Sequence, residues 1–377
     1  MDWCKSIPAW LFVGLCLFWI SGCGWGGAPA DSGIEEDVVD AADDAPAADS
    51  AGTATAVSPA NGNRRLQVGD RFPLLKTVAQ TLQQPSPNGW MTSCSTLEIL
   101  MEVTVEEIHQ SDGPPQELDP RSGQKRLQVN YQRVRFSQDL PGQPRLEYDS
   151  LAATHPVPQA AAGYHGLKDN GFGFWVGPDN QIVELAAFDQ FVTRCLKVVS
   201  PERRQQAAAA MALPAAEAVA GFIDDTVGVL PATVVREGDT WVRDRQVLEP
   251  IPLHVRNRYT VHRIMPELAE IEIQGTISAP VPYGSMNPAG NGVRVVVRGG
   301  RSQGNCLFDR RSGLPADSRT EQTLEMTVRM PDGSEFNQQK STLTTIKSVA
   351  DAGGPSTAAG EAKPAARTAQ GADDTAR

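Results

Sequence analysis

His155, His165 and Asp169 form the densest set of ligand-type side chains in the chain. Two imidazoles and a carboxylate have the chemistry to hold a divalent cation or move a proton, but their spacing fits no recurrent zinc pattern. Pro156 and Gly163 beside them make a loop a sufficient home for both histidines. His254 and His262 flank Arg256, Asn257, Arg258 and Tyr259, an alternation that reads as the solvated face of a strand. Ser285 in Gly284-Ser285-Met286 lacks the flanking glycines of a nucleophile elbow, and the sequence holds no P-loop and no HExxH helix. Gly171 and Gly173 precede Phe174-Trp175-Val176. A dinucleotide loop would open a helix there, which Pro178 opposes, so the glycines read as room for close backbone approach in a strand. No residue is nominated as catalytic, metal-binding or cofactor-binding, and no cofactor is expected.

The apolar run Ile7 to Ile20 is too short for a membrane-spanning helix, which needs roughly twenty residues. It reads as a secretory signal over residues 1–22, set aside before any reasoning about the fold. Ile20-Ser21-Gly22-Cys23 resembles the lipobox of bacterial lipoproteins. That resemblance implies lipidation of the Cys23 sulfur, cleavage just before it and a membrane partner reached through the lipid anchor. Asp2 against Lys5 departs from the usual basic start of such a signal. Gly24 in place of Asp implies, by the same resemblance, the outer membrane facing the periplasm.

Residues 23–64 carry eight acids (Asp31, Glu35, Glu36, Asp37, Asp40, Asp43, Asp44 and Asp49) and only Arg64 of opposite sign. With Ala, Gly, Pro and Ser filling most of the rest, this stretch buries too little apolar surface to offset the entropy of ordering. It is expected to be a disordered acidic tether with a reach on the order of 35 Å. The tail 350–377 has the same texture. Most of the formal net charge of −11 sits in the tether, so the body is nearly neutral and gives no indication of nucleic acid as a partner. Cys94, Cys195 and Cys306 remain once Cys4, Cys16 and Cys23 are assigned to signal and anchor. Their wide spacing is not a disulfide framework; three buried thiols, or one disulfide and a free thiol, both fit it.

Between 65 and 349 the dominant period is two. Leu97, Ile99, Met101, Val103 and Val105 alternate with mostly acidic neighbours, as do Ala269, Ile271, Ile273 and Ile277, and then Leu324, Met326, Val328 and Met330. One polar side per strand predicts antiparallel sheet. Leu127, Val129 and Tyr131 are out of phase with Val134 and Phe136, and one extra residue near Gln132, a β-bulge, reconciles them. Turns are expected at Pro85 to Gly89, Pro114-Pro115, Pro141-Gly142 and Pro331-Asp332-Gly333. Helix is expected only at 201–229, where Ala-rich sequence places Val219, Phe222, Ile223 and Val227 on one stripe to cross the sheet. The predicted fold is α+β, mainly a curved, half-barrel-like antiparallel sheet with that helical insertion. Its halves, 65–200 and 231–349, open on the similar stretches Val68-Gly69-Asp70-Arg71-Phe72 and Glu237-Gly238-Asp239-Thr240-Trp241.

Gly238 to Trp241, Tyr259-Thr260-Val261, Phe308-Asp309 and Leu314-Pro315, with Tyr148-Asp149-Ser150 and the lipobox, resemble a family of uncharacterised bacterial lipoproteins built on a domain of unknown function. The resemblance implies no activity. Two functions fit the sequence. One is a non-catalytic envelope lipoprotein that shelters an apolar ligand, a lipid or a partner, with a cavity near Met101, Val103, Phe174 and Trp175; the alternative is a hydrolase-like envelope enzyme with an unrecognised site.

Overall fold

The computed structural model describes residues 66–86, 89–109, 121–152, 157, 161–177, 180–197, 235–247, 253–279, 294–310 and 312–349. The signal, the tether, the tail and the helix expected at 201–229 lie outside the described residues, as do Pro114-Pro115. Twelve strands form a single antiparallel sheet that curves without closing. The first half contributes β1 (Arg71–Ser86), β2 (Gly89–Ile108), β3 (Lys125–Asp139), β4 (Leu146–Asp149), β5 (Asn170–Val176) and β6 (Ile182–Ala186). The second contributes β7 (Thr240–Val247), β8 (Leu253–Ile264), β9 (Leu268–Ser278), β10 (Arg294–Asp309), β11 (Pro315–Arg329) and β12 (Glu335–Ser348).

The strand order is β6-β5-β3-β2-β1-β12-β11-β10-β9-β8-β7, with β4 paired beside β3. Two meanders thus lie side by side in the same sense, the first strand of one against the last strand of the other. Their opening turns are built alike. Gly69 donates its N–H to the Val105 carbonyl and Gly238 to that of Val261, each at 2.8 Å. Both glycines have positive φ, 94° and 87°, a conformation that favours glycine. The Asp70 carboxylate accepts from the Gln67 N–H at 2.8 Å, and Asp239 from the Arg236 N–H at 2.7 Å. Two residues on, Phe72 and Trp241 pack against the core, and Trp241 stacks on Tyr259 at 5.4 Å.

The period-two reading matches the burial. Leu97, Ile99, Met101, Val103 and Val105 are all buried, as are Ala269, Ile271, Ile273 and Ile277, and Leu324, Met326 and Val328; Met330 is half-buried. The extra residue in β3 is Gln132: Leu100 faces Arg133 and Met101 faces Tyr131, leaving Gln132 without an opposite number. Its presence keeps Leu127, Val129, Tyr131, Val134 and Phe136 all on the buried side. β1 and β2 meet at the Ser86–Gly89 pair, within the stretch expected to turn, and Pro331-Asp332-Gly333 joins β11 to β12.

Two helices are described. α1 (Ala162–His165) is a single turn, and α2 (Phe188–Leu196) packs Phe188, Phe191 and Cys195 into the first-half core, with Phe191 5.0 Å from Phe172 between ring centres. Helix propensity, which points only to 201–229, does not anticipate α2, because nine residues carry too few turns for a period to stand out. Arg194 anchors α2 to β5 through the Asn170 side chain at 3.0 Å and the Gly171 carbonyl at 2.6 Å. Among the described residues no helix is long and apolar enough to cross a membrane.

Candidate functional site

Because neighbouring strands pair residue for residue, their inward side chains form rows across the sheet. One row is polar from β7 to β3. In the second half it runs Arg243, Asn257, Gly275, Ser302 and Gln322. It continues through Thr342, Gln80, Ser95 and Gln138. Nine strands therefore contribute no apolar side chain to this belt, while the rows beside it mix apolar residues with Arg245, Lys340 and Ser93 on one flank and with Thr320 and Thr344 on the other. Val255, Ile277, Leu324 and Leu82 lie on one flank; Tyr259, Ile273, Val78, Leu97 and Phe136 lie on the other. The belt separates the cluster of Leu82, Val255, Ile277 and Leu324 from the two clusters on its other side.

Ser302, Thr342, Gln80, Ser95 and Gln138 are buried. Polar groups out of water cost free energy unless they are hydrogen-bonded. Gln338 donates to the Gln84 side-chain oxygen at 2.7 Å, two rows from the belt on the same face. Gln80, Lys76, Lys340, Arg243 and Arg245, all on this face, are each engaged by a partner. The amide nitrogen of Gln138, the hydroxyl of Ser302 and the side-chain oxygens of Asn257 and Gln338 are buried without a hydrogen-bond partner among the described residues. Gly275 makes room for Asn257, since a Cβ there would collide with its side-chain oxygen.

The residues nominated from sequence are dispersed. His155 lies outside the described residues, as do Gly284, Ser285 and Met286. His165 Nδ1 shares a 2.5 Å hydrogen bond with the Tyr148 hydroxyl. Asp169 is exposed in a turn, with φ 58°, and pairs with Lys168 at 3.8 Å. His254 pairs with Asp244 at 3.2 Å and His262 with Glu272 at 2.8 Å, both on the outer face. An open groove of about 440 Å³ there is lined by His262, Glu270, Glu272, Gln303, Arg319 and Glu321, a mixed-charge set typical of a solvated face. Among the described residues, no group of three or more His, Cys, Asp or Glu is placed to hold a metal.

Met101, Val103, Phe174 and Trp175 are fully packed, so the apolar room expected beside them is absent from that part of the sheet. Gly171 has the close-approach role read from sequence: a Cβ would run into the Val129 carbonyl of β3. Cys94, Cys195 and Cys306 are all free thiols, the first exposed and the other two buried, and burial pushes Cys195 and Cys306 up to about 12. Asp149 is held far below the usual carboxylate range, chiefly by its hydrogen bond from Arg133, and also accepts from Arg135 at 3.2 Å. That pairing ties β4 to β3.

The belt escapes single-strand reading, although β1 carries its signal. Leu74, Lys76, Val78, Gln80, Leu82 and Gln84 alternate apolar and polar on one side, a period of four inside the period of two.

Cys23 lies outside the described residues. A search of the curated proteins finds no match. Among solved structures, the chain is similar to lipovitellin in a study of lipid–protein interactions (12% identity, TM-score 0.40), over 80% of this chain but only 26% of that one. It is also similar to DynF of the dynemicin pathway of Micromonospora chersina (6%, TM-score 0.20, 87% and 95% covered). A third is a putative outer membrane lipoprotein-sorting protein domain of Vibrio parahaemolyticus (9%, TM-score 0.12, 74% and 86% covered). TM-scores this low establish no shared function. Residues 122–315, just over half of the chain, match a family of unknown function, and the protein belongs to that family, DUF6263.

Proposed function

We propose that this protein is a lipid-anchored envelope lipoprotein with a non-catalytic binding role, holding an apolar ligand or partner against the inner face of its sheet. The supporting observation is the organisation of that face: its buried apolar residues fall into separate clusters along a sheet that does not close, rather than into one sealed core. A curved sheet lined on one side by apolar clusters suits an occupant better than it suits chemistry, which needs converging polar groups at reacting distance. The anchor is carried by Ile20-Ser21-Gly22-Cys23, and Gly24 favours the outer membrane. Several acyl chains hold firmly where one holds marginally, so attachment depends on lipidated Cys23.

Two experiments test this reading. Membrane fractionation of Cys23→Ala, with its signal cleaved by other means, should find the protein in the soluble fraction; sedimentation with membranes after a high-salt wash would refute the anchor. The signal-cleaved Cys23→Ala chain should then bind a fluorescent fatty acyl probe saturably. Absence of saturable binding by folded protein would leave a structural role.

A further inference from the structure

We propose that the middle of the inner face is a docking surface for the chain's own residues 198–234, and that carboxylates of this segment, Glu217, Asp224 and Asp225, are set against Lys76 and Lys340. The inference does not depend on the binding reading above: it concerns what meets these two lysines, whether or not a ligand shares the face.

Lys76 on β1 and Lys340 on β12 are 3% and 4% exposed, although β1 and β12 are the central pair of the sheet. A charge so far from water needs a partner of opposite sign, and both lysines are engaged. The sheet supplies no such partner. Register places no Asp or Glu of the twelve strands in an inward row: Glu98 and Glu102, Glu270 and Glu272, Glu321 and Glu325 all stand in outward ones. Arg243 and Arg245 of β7 add two more cations to the inner face. Asp189 of α2 is exposed, and α1 and α2 lie chiefly against β5 and β3, to one side of the lysines. A sheet face buried over its centre requires a second layer, and here that layer has to bring negative charge.

The ends of 198–234 fix its path. Before it, Leu196 is buried at the end of α2, which packs on β5; after it, Val235 is buried with Trp241, Tyr259 and Val261 in the cluster beside β7. Nine strand spacings separate β5 from β7, roughly 43 Å at about 4.8 Å each. The helix expected from sequence at 201–229 has nearly that length, roughly 43 Å at about 1.5 Å per residue. Its charge is complementary too. From Pro214 to Val235 there are three acids, Glu217, Asp224 and Asp225, and no Lys or Arg. At helical spacing, Asp224 and Asp225 fall on opposite flanks of the stripe Val219, Phe222, Ile223 and Val227, so an apolar stripe turned to the sheet carries a carboxylate on either side of it. The acidic tether, the other rich source of carboxylates, joins the body only at one end, near Leu66.

Zero-length carbodiimide cross-linking of the signal-cleaved Cys23→Ala chain, followed by peptide mapping, tests the assignment. Lys76 or Lys340 should be recovered joined to Glu217, Asp224 or Asp225. Lysines joined only to the acids of the tether, or to none, would overturn it. Replacing 201–229 by a Gly-Ser linker of equal length should raise the acylation rate of Lys76 and Lys340 at least about tenfold relative to half-buried Lys168, since the cover is gone. Unchanged rates in a folded linker variant would also overturn the proposal. Should that variant fail to fold, the cross-links in the unaltered segment decide the question alone.

Discussion

Replacing Ile273 and its neighbour Glu272 by alanine, one at a time, compares the two faces of β9 at adjacent positions. Ile273 is 5% exposed on the inner face, opposite Tyr259 on β8 and Gly304 on β10. Ile273→Ala removes three carbons, worth about 2.4 kcal/mol in transfer at about 0.8 per methylene, and leaves a cavity besides. Gly304 has no side chain to move into the space, so collapse is limited and the total loss should reach about 3 to 4 kcal/mol. Glu272 points the other way, into solvent, where it meets His262 at 2.8 Å and Gln274 at 2.8 Å. A surface pair of this kind contributes at most about 1 kcal/mol. The His262 hydrogen bond, then that of Gln274, holds the Glu272 carboxyl below its ordinary value. Its small contribution is therefore present above the ordinary glutamate pKa and lost as pH falls through the lowered one. Urea melts followed by tryptophan fluorescence give both numbers from the shift in midpoint at constant slope. Equal midpoint shifts, or a larger shift for Glu272→Ala, would refute the assignment of faces and with it the row arrangement on which the belt depends.

Asp149→Asn should destabilise the protein by about 1 to 3 kcal/mol at neutral pH, since it removes a carboxylate hydrogen-bonded to Arg133 and Arg135. Because the folded-state pKa of Asp149 is lowered, that stability is present above the ordinary aspartate value and lost as pH falls; melts from pH 6 down to pH 2 should show the gap to the parent protein closing. Alkylation of the native protein at pH 8 should label Cys94 and spare Cys195 and Cys306, whose buried thiols stay protonated there; peptide mapping that finds all three labelled would contradict their packing. Gly171→Ala should cost about 1 to 3 kcal/mol, because β5 must move away from the Val129 carbonyl, and should loosen α2 through the Gly171–Arg194 bond, seen as faster amide exchange in 188–196.

Much of the sheet was legible in the sequence. The alternation in β2, β9 and β11 is local, as is the change of phase at Gln132, and each follows from the pleat putting successive side chains on opposite faces. The Gly-Asp turns at 69–70 and 238–239 were legible for the same reason: a positive φ followed by a capping carboxylate is written into consecutive residues. Which strands become neighbours is decided by the tertiary structure alone. Gln84 and Gln338 stand 254 positions apart yet share a hydrogen bond, and Ser302 shares a row with Gln138 only because β12 closes against β1. A polar residue at an inward position looks, in its own strand, like an isolated exception to the pattern. Register across nine strands turns those exceptions into one continuous belt, since pairing of distant segments is paid in loop-closure entropy that no local pattern records.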